Sequence, residues 1–344
     1  MGTKLNLPIL NECLLHGTIE QRRLFAEQLI DASYQFGCFY LKQHSVSTAL
    51  CNQVIAKARE FFLLPAEDKS KIHIRHSSHF RGYSEMKNER DWREQGHFGL
   101  EKLAAYQPLN DREYHRLQGP NLWLTQLGQD WQCTMLSFLE SVDSLSQNIL
   151  SVLAKMLGLS EDYFTALADE PPYLLMKLIY YHPQVTNQLK HIGVAPHCDW
   201  SWITFLLQDE IGGLQVKLPN NNWVDVTPIP NTFVVNIGEL LEILTGGYLK
   251  ATPHRVINQS STHSRISVPI FINPALTARI TSIPLSQKYY NAPQNTFSFD
   301  DEHVHRVSDP CNLIQSFVFG DSEWKRKGQN CWCYKKACHD SKFG

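Results

Sequence analysis

Pro196-His197-Cys198-Asp199-Trp200-Ser201-Trp202-Ile203-Thr204-Phe205-Leu206-Leu207 places a His-x-Asp pair at the head of a β-rich run. Residues two apart on a strand point to the same face, so His197 and Asp199 can converge on one ion while Cys198 turns away. His254 opens a later β-rich run, and Arg265-Ile266-Ser267 opens another. From Tyr173 onward the chain reads as short strands broken by turn residues: Tyr173 to Tyr181, Trp202 to Leu207, Leu214 to Leu218, Trp223 to Val226, Thr232 to Ile237, His254 to Asn258 and Arg265 to Ile272. Asn220-Asn221-Asn222 and Gly246-Gly247 fall where hairpin turns are expected. Many short strands with such punctuation argue for a sandwich or jelly roll.

Upstream the period changes from two to 3.6. Glu20 to Phe36 carries Leu24, Phe25, Leu29, Ala32 and Phe36 at helical spacing and stops at Gly37. Ser47 to Leu63 opens on a capping serine and presents Leu50, Val54, Ala58 and Phe61. A longer helix is predicted from about Leu122 to Leu157, with Trp131, Met135, Phe138, Val142, Leu145, Ile149 and Leu153 on one face and a stop at Gly158.

Composition narrows the function classes. At 344 residues and 43% hydrophobic content the chain can bury a substantial core as one globular unit. Thirty-two basic against thirty-four acidic residues give a net charge of -2, and the longest basic run is Lys325-Arg326-Lys327. Nucleic acid and anionic membrane are therefore poor partners. No apolar stretch of bilayer-spanning length appears, and Met1 to Leu10 lacks the layout of a signal peptide, so the reading is soluble and cytoplasmic, with a monomer favoured. Nine scattered cysteines fit reduced thiols better than a disulfide framework. Cys331-Trp332-Cys333 with Cys338-His339 matches no standard zinc spacing and reads as a tail with free thiols.

Two imidazoles and one carboxylate on one face of an octahedron leave three positions open, which suits mononuclear Fe(II). Zinc sites tend to be tetrahedral, with one position left for water. Arg265 and Ser267 share a strand face, so a planar guanidinium and a hydroxyl can together grip a carboxylate. An H-x-D pair alone is a weak signal, and the flanking text strengthens it. Around the triad stand Tyr180-Tyr181-His182-Pro183, Leu207-Gln208-Asp209, Gly213-Leu214-Gln215-Val216, Val235-Asn236-Ile237-Gly238-Glu239, Pro253-His254-Arg255-Val256 and Arg265-Ile266-Ser267-Val268.

In order and spacing this text closely resembles the 2-oxoglutarate/Fe(II)-dependent dioxygenase superfamily, in the branch that holds isopenicillin N synthase and aminocyclopropane-carboxylate oxidase. The N-terminal third is similar too, through Phe36-Gly37-Cys38-Phe39-Tyr40-Leu41, His44, Arg59-Glu60-Phe61-Phe62-Leu63-Leu64-Pro65, Arg81-Gly82-Tyr83 and Asp91-Trp92-Arg93-Glu94. The resemblance implies a mainly β fold with flanking helices around a distorted double-stranded β-helix (jelly roll) core. It divides the chain into an N-terminal region over 1–120, a backbone helix and catalytic core over 121–286, and a C-terminal tail over 287–344.

For the site, the resemblance implies Fe(II) on His197, Asp199 and His254, with O2 as oxidant. 2-Oxoglutarate would be the co-substrate, its distal carboxylate held by Arg265 and Ser267 with help from Tyr181. The expected reaction is oxidation of a small metabolite held at Arg81, Tyr83, Trp200 and Phe271, with Arg93, Glu94, His97 and Phe98 as weaker pocket candidates. By that resemblance the substrate bears a carboxylate and belongs to natural-product biosynthesis. Arg81 has two readings: it holds a substrate carboxylate, or it pairs with Asp91 or Glu94 at the surface. Ile179 stands where the family carries a polar residue, Cys198 replaces a threonine, and Glu239 replaces an aspartate. Two rivals remain at this level. One is an oxidase that works without 2-oxoglutarate, since the R-x-S pair is kept in such enzymes; the other is a jelly-roll binding protein with a vestigial metal site.

Overall fold

A computed structural model of the protein describes residues 7–88, 91–103, 113–183, 192–218, 220–258 and 260–285. In chain order these form β1 (Ile9–Asn11), α1 (Ile19–Gln35), β2 (Cys38–Lys42), α2 (Thr48–Leu63), α3 (Ala66–Ser70), β3 (Gly82–Lys87), β4 (Trp92–Phe98) and α4 (Gly128–Met156). There follow β5 (Leu174–Tyr181), β6 (Ile192–His197), β7 (Ile203–Gln208), β8 (Leu214–Lys217), β9 (Trp223–Asp225), β10 (Thr232–Ile237), α5 (Glu239–Leu244), β11 (His254–Ile257) and β12 (Arg265–Ile272).

Helices α1 and α2 form where the spacing predicts, although Ser47 makes no side-chain cap hydrogen bond to α2, and α4 begins at Gly128 rather than near Leu122. The Thr18 hydroxyl accepts from the Gln21 amide and the Gln21 side chain accepts from the Thr18 amide, a capping box that starts α1 at Ile19. Along α4, Trp131, Met135, Phe138, Val142, Leu145, Ile149 and Leu153 are all buried on one side. Each such side chain contributes about 1.5–3 kcal/mol on leaving water, so this stripe locks the helix to the sheet.

The strands make an eight-stranded sheet, ordered β1-β2-β10-β7-β12-β5-β4-β3, and a four-stranded sheet, ordered β6-β11-β8-β9. Strict alternation along β12 sorts the two faces of the large sheet. Ile266, Val268, Ile270 and Ile272 join the helices in one core cluster, with Phe61 of α2 and Phe138 of α4. Arg265, Ser267 and Phe271 lie on the other face. There a second cluster, including Tyr40, Ile179, Tyr181, Leu206 and Val234 from the large sheet and Val194, Leu214, Val216 and Val256 from the small one, fills the space between the sheets. This two-sheet, helix-backed arrangement is the mainly β, double-stranded β-helix architecture expected from the sequence.

Several details differ from the sequence reading. The β6 strand ends at His197, so Asp199 sits beyond it rather than on it. Asn220 to Asn222 does connect the antiparallel pair β8 and β9, but Gly246-Gly247 closes a helix instead of a hairpin. The Gly247 amide donates back to the Glu242 carbonyl, and both glycines take positive φ, +57° and +85°. The helix α5 itself was hidden because its six residues are too few to display a period. The tail over 287–344, with Cys331, Cys333, Cys338 and His339, lies outside the described residues.

Candidate metal centre

Antiparallel pairing of β6 and β11 sets His197 directly opposite His254, and the two imidazole centroids lie 4.2 Å apart. Past the end of β6 the chain turns, bringing Asp199 Oδ1 to 3.8 Å from His197 Nε2 and 3.4 Å from His254 Nε2. One ligand atom from each residue lies within 4.8 Å of the others. His197 Nδ1 faces the Ala195 carbonyl at 2.8 Å, and His254 Nδ1 faces the Thr252 carbonyl at 3.1 Å. A carbonyl accepts only an N–H, so each ring's Nδ1 carries the proton and its Nε2 lone pair is left for a metal.

Charge in the site follows from burial and neighbours. Burial alone would raise the pKa of Asp199, but the charge and hydrogen bond of His254, the charge of His197 and a hydrogen bond from Asn236 hold it well below the usual carboxylate range. Burial, reinforced by the charge of His254, pushes His197 down to about 3. Against the burial of His254, the Asp199 charge raises that imidazole instead. A persistent buried anion facing two imidazole nitrogens is the electrostatic arrangement of a cation site. The donor set, two nitrogens and one oxygen from one side, fits Fe(II) with open positions.

The aspartate is itself held. Asn236 Nδ2 donates to Asp199 Oδ2 at 3.2 Å, leaving Oδ1 for the histidines. The Glu239 amide, at the start of α5, donates to the Asp199 carbonyl at 2.9 Å. Asn236 was missed as a site residue, because its role depends on where β10 runs relative to the loop after β6. Cys198 turns its thiol to the Ala251 carbonyl, 3.6 Å away, as a packing residue would.

Beside the triad, Arg265 and Tyr181 are register partners across β12 and β5, and the guanidinium carbon stands 5.0 Å from the Tyr181 ring centroid. Arg265 is 1% exposed. One nitrogen, Nη2, donates to Gln208 Oε1 at 3.0 Å, while Nε and Nη1 have no partner among the described residues. A buried cation with two idle donors costs several kcal/mol unless an anion meets it. Ser267 lies two residues on along the same face and is likewise buried. A carboxylate entering here would find a guanidinium edge and a hydroxyl.

The residues expected at the substrate are dispersed. Phe271 shares the face of Arg265, with Lys177 Nζ 5.2 Å from its ring centroid. Tyr83 does not: it stands on the helix side of β3, where its hydroxyl donates to Glu94 at 2.7 Å and its ring meets Phe61. Glu94 and Phe98 lie on that same outer side, since register puts Gln95 and His97 on the inner one. Trp200 is packed into the large core cluster together with Trp202. Arg81 is buried and its outer nitrogens are committed, Nη1 donating to the His79 carbonyl and the Tyr173 hydroxyl at 3.1 Å each and Nη2 to the Leu117 carbonyl at 3.2 Å, while Nε has no partner among the described residues. It pairs with neither Asp91 nor Glu94; its guanidinium ties together three chain segments. A second His/carboxylate group, Glu85, Glu94 and His182, is turned away from the triad, and Lys69 already neutralises Glu94 there.

Among the described residues no helix is long and apolar enough to cross a membrane. Residues 172–274 match the 2OG-Fe(II) oxygenase superfamily model, and residues 7–126 match the model for the N-terminal region of non-haem dioxygenases in morphine synthesis. The chain is similar to the 2-oxoglutarate-Fe(II) type oxidoreductase hxnY of Emericella nidulans, at 31% identity over 77% of this chain and 79% of that one. It is also similar to a homoarginine-6-hydroxylase of Oryza sativa subsp. japonica, at 30% identity over 75% and 80%. Among solved structures, a full-length Neurospora crassa protein in complex with alpha-KG and 5-formyluracil superposes with a TM-score of 0.71 at 25% identity, covering 92% of this chain and 97% of that one.

Proposed function

Because the chain belongs to the 2OG-Fe(II) oxygenase superfamily and is a 2-oxoglutarate-dependent dioxygenase using Fe(II) and O2, we propose that His197, Asp199 and His254 hold its iron and that Arg265, Ser267 and Tyr181 hold 2-oxoglutarate. The observation that carries the second assignment is that two guanidinium nitrogens of Arg265, Nε and Nη1, have no partner among the described residues on a side chain that is 1% exposed. When bound, the iron with its co-substrate supplies the oxidising power to break a C–H bond. The protein's own part is positional. The Nδ1 hydrogen bonds to Ala195 and Thr252 keep both imidazoles aimed, Asn236 keeps one oxygen of Asp199 free, and the apolar fill between the sheets keeps water from the reacting face.

The substrate in this reading is a small carboxylate-bearing metabolite of secondary metabolism. The name of the rice relative, a homoarginine hydroxylase, supports a small amino-acid-like substrate. The 5-formyluracil bound by the Neurospora crassa protein likewise supports small molecules as a class. Oxygen uptake and succinate release by the iron-loaded enzyme, measured with a metabolite panel across 2-oxoglutarate concentrations in wild type and Arg265→Ala, test the assignment of Arg265. Arg265→Ala should need a markedly higher 2-oxoglutarate concentration for the same uptake; an unchanged dependence would contradict the assignment.

A further inference from the structure

The inner face of the large sheet carries a polar group that neither the metal ligands nor the Arg265 corner uses. Register places Lys177 of β5 directly opposite His97 of β4, and Ile179 opposite Gln95. Among the described residues Lys177 Nζ makes no hydrogen bond or ion pair, and it stands 5.2 Å from the centroid of the Phe271 ring. Among the described residues both nitrogens of His97, which is 2% exposed, lack a partner, as does Gln95 Oε1. Arg93, further along β4, is engaged by Asp91 at 3.2 Å, so its charge is already matched. Orphaned polar atoms in such number, on one side of a protein interior, mark a place where a ligand supplies the missing partners.

Resting on the reading of the metal site given above, we propose that Lys177 and His97 form the substrate anchor, taking a single carboxylate of a small organic acid whose hydrocarbon part lies along Phe271 and Ile179. Three considerations converge on an anion. Lys177 is half-buried, and burial followed by the charge of Arg93 pushes its pKa down to about 8, while Asp199 and Asp91 pull it the other way. Register puts Lys177 on the same face of the sheet as Tyr181 and Arg265, and it feels the charge of Asp199. Asp199 is committed to the two imidazoles and Asn236, and Asp91 to Arg93, so the Lys177 charge is the one left unmatched on the β4–β5 inner face among the described residues. Burial and the charges of Lys177, Arg81 and Arg93 hold His97 well below its ordinary range, so it is neutral and offers one N–H donor beside the ammonium. An ammonium and an N–H side by side suit two oxygens of one carboxylate. The carboxylate anchor expected at Arg81 is thereby relocated, because Arg81 spends its outer nitrogens on the chain itself.

The test uses the full chain loaded with Mn(II) and 2-oxoglutarate, which binds without turnover. Acetate, hexanoate, benzoate and phenylacetate are compared with their primary amides by thermal shift and calorimetry, in the wild-type protein and in Lys177→Met, Lys177→Arg and His97→Phe. At least one acid should bind at least about tenfold more tightly than its amide; the preference should vanish in Lys177→Met, weaken in His97→Phe and return in part in Lys177→Arg. No acid binding, equal binding of acid and amide, or an acid preference that survives Lys177→Met would each overturn the proposal. Circular dichroism establishes that each variant is folded, and Lys177→Arg keeps the charge if Lys177→Met does not fold. The stabilisation of the wild-type protein by Mn(II) and 2-oxoglutarate alone reports the metal-site reading, so a failure there is told apart from a failure of the anchor.

Discussion

His197 and His254 face each other across a single antiparallel register position of β6 and β11. Neither strand sets the site alone; the pairing does, with Asp199 reaching back from the turn beyond β6. On the proposed assignment all three donors hold Fe(II) against water, so His254→Ala is expected to purify folded but without stoichiometric iron, measured by metal analysis and calorimetric Fe(II) titration. An Asp199→Ala protein should behave alike.

Asn236 is expected to matter without touching the metal. Its amide donates to Asp199 Oδ2 and thereby directs Oδ1 at the histidines. Residues in this supporting position typically change metal affinity by about 10- to 100-fold. Asn236→Ala should therefore weaken Fe(II) binding by that range while changing the melting temperature of the metal-free protein little.

Gly193 lets the small sheet close against the large one. A Cβ there would lie 2.7 Å from the Tyr181 ring and 3.1 Å from Val256 Cγ1, and the ring stands beside Arg265. Gly193→Ala should cost about 1–3 kcal/mol, as overpacking does. It should also weaken 2-oxoglutarate binding by displacing Tyr181, which denaturant melts and co-substrate titration would read separately.

Acid should unfold the N-terminal part of the sheet through Glu94. Burial would raise its pKa, but hydrogen bonds from His182, Lys69 and Tyr83, with the charge of Lys69, outweigh that and hold it down at about 2, against an ordinary 4.5. The folded pKa is depressed, so the stabilisation is complete above pH ~4.5 and is lost as the pH falls toward 2. A shift of that size corresponds to about 3 kcal/mol. Glu94→Gln should be less stable than wild type at pH ~6, where Lys69 is left without its anion, and the two curves should converge as the pH is lowered. Parallel curves from pH ~6 to pH ~3 would contradict this account.

The proposed triad and Arg265 were legible in the sequence because the H-x-D, P-H-R-V and R-x-S stretches resemble those of the family in order and spacing, although Asp199 lies past the end of β6, where strand parity does not fix its facing. Ser267 and Phe271 follow from Arg265 by strand parity. The place of Asn236 and Gln208 in the candidate site, and of Lys177 in the proposed anchor, was not legible. What each does depends on a neighbour far away in sequence: His97 opposite Lys177, Asp199 beside Asn236, Arg265 beside Gln208. Tyr83 shows the same limit from the other side. Its position near the family's pocket residues suggested a substrate contact, yet pairing of β3 with β4 puts Gly82 and Ser84 on the inner face and turns Tyr83 toward Glu94 and the helices. One reading of Arg81 left it free for a ligand, and only the folded chain reveals that the carbonyls of His79 and Leu117 already occupy it.

The co-substrate corner is open to one direct measurement: anaerobic titration of the Fe(II)-loaded protein with 2-oxoglutarate, followed by visible absorption, in wild type and Arg265→Ala. A charge-assisted pair of this kind is worth about 1.5–3 kcal/mol, which is roughly one to two orders of magnitude in affinity. The wild-type protein should develop a charge-transfer band that saturates with 2-oxoglutarate, and Arg265→Ala should reach the same band only at a concentration about 10- to 100-fold higher. A wild-type protein that binds iron yet gives no band, or an Arg265→Ala titration that overlays the wild type, would contradict the assignment of Arg265 as the residue that receives 2-oxoglutarate.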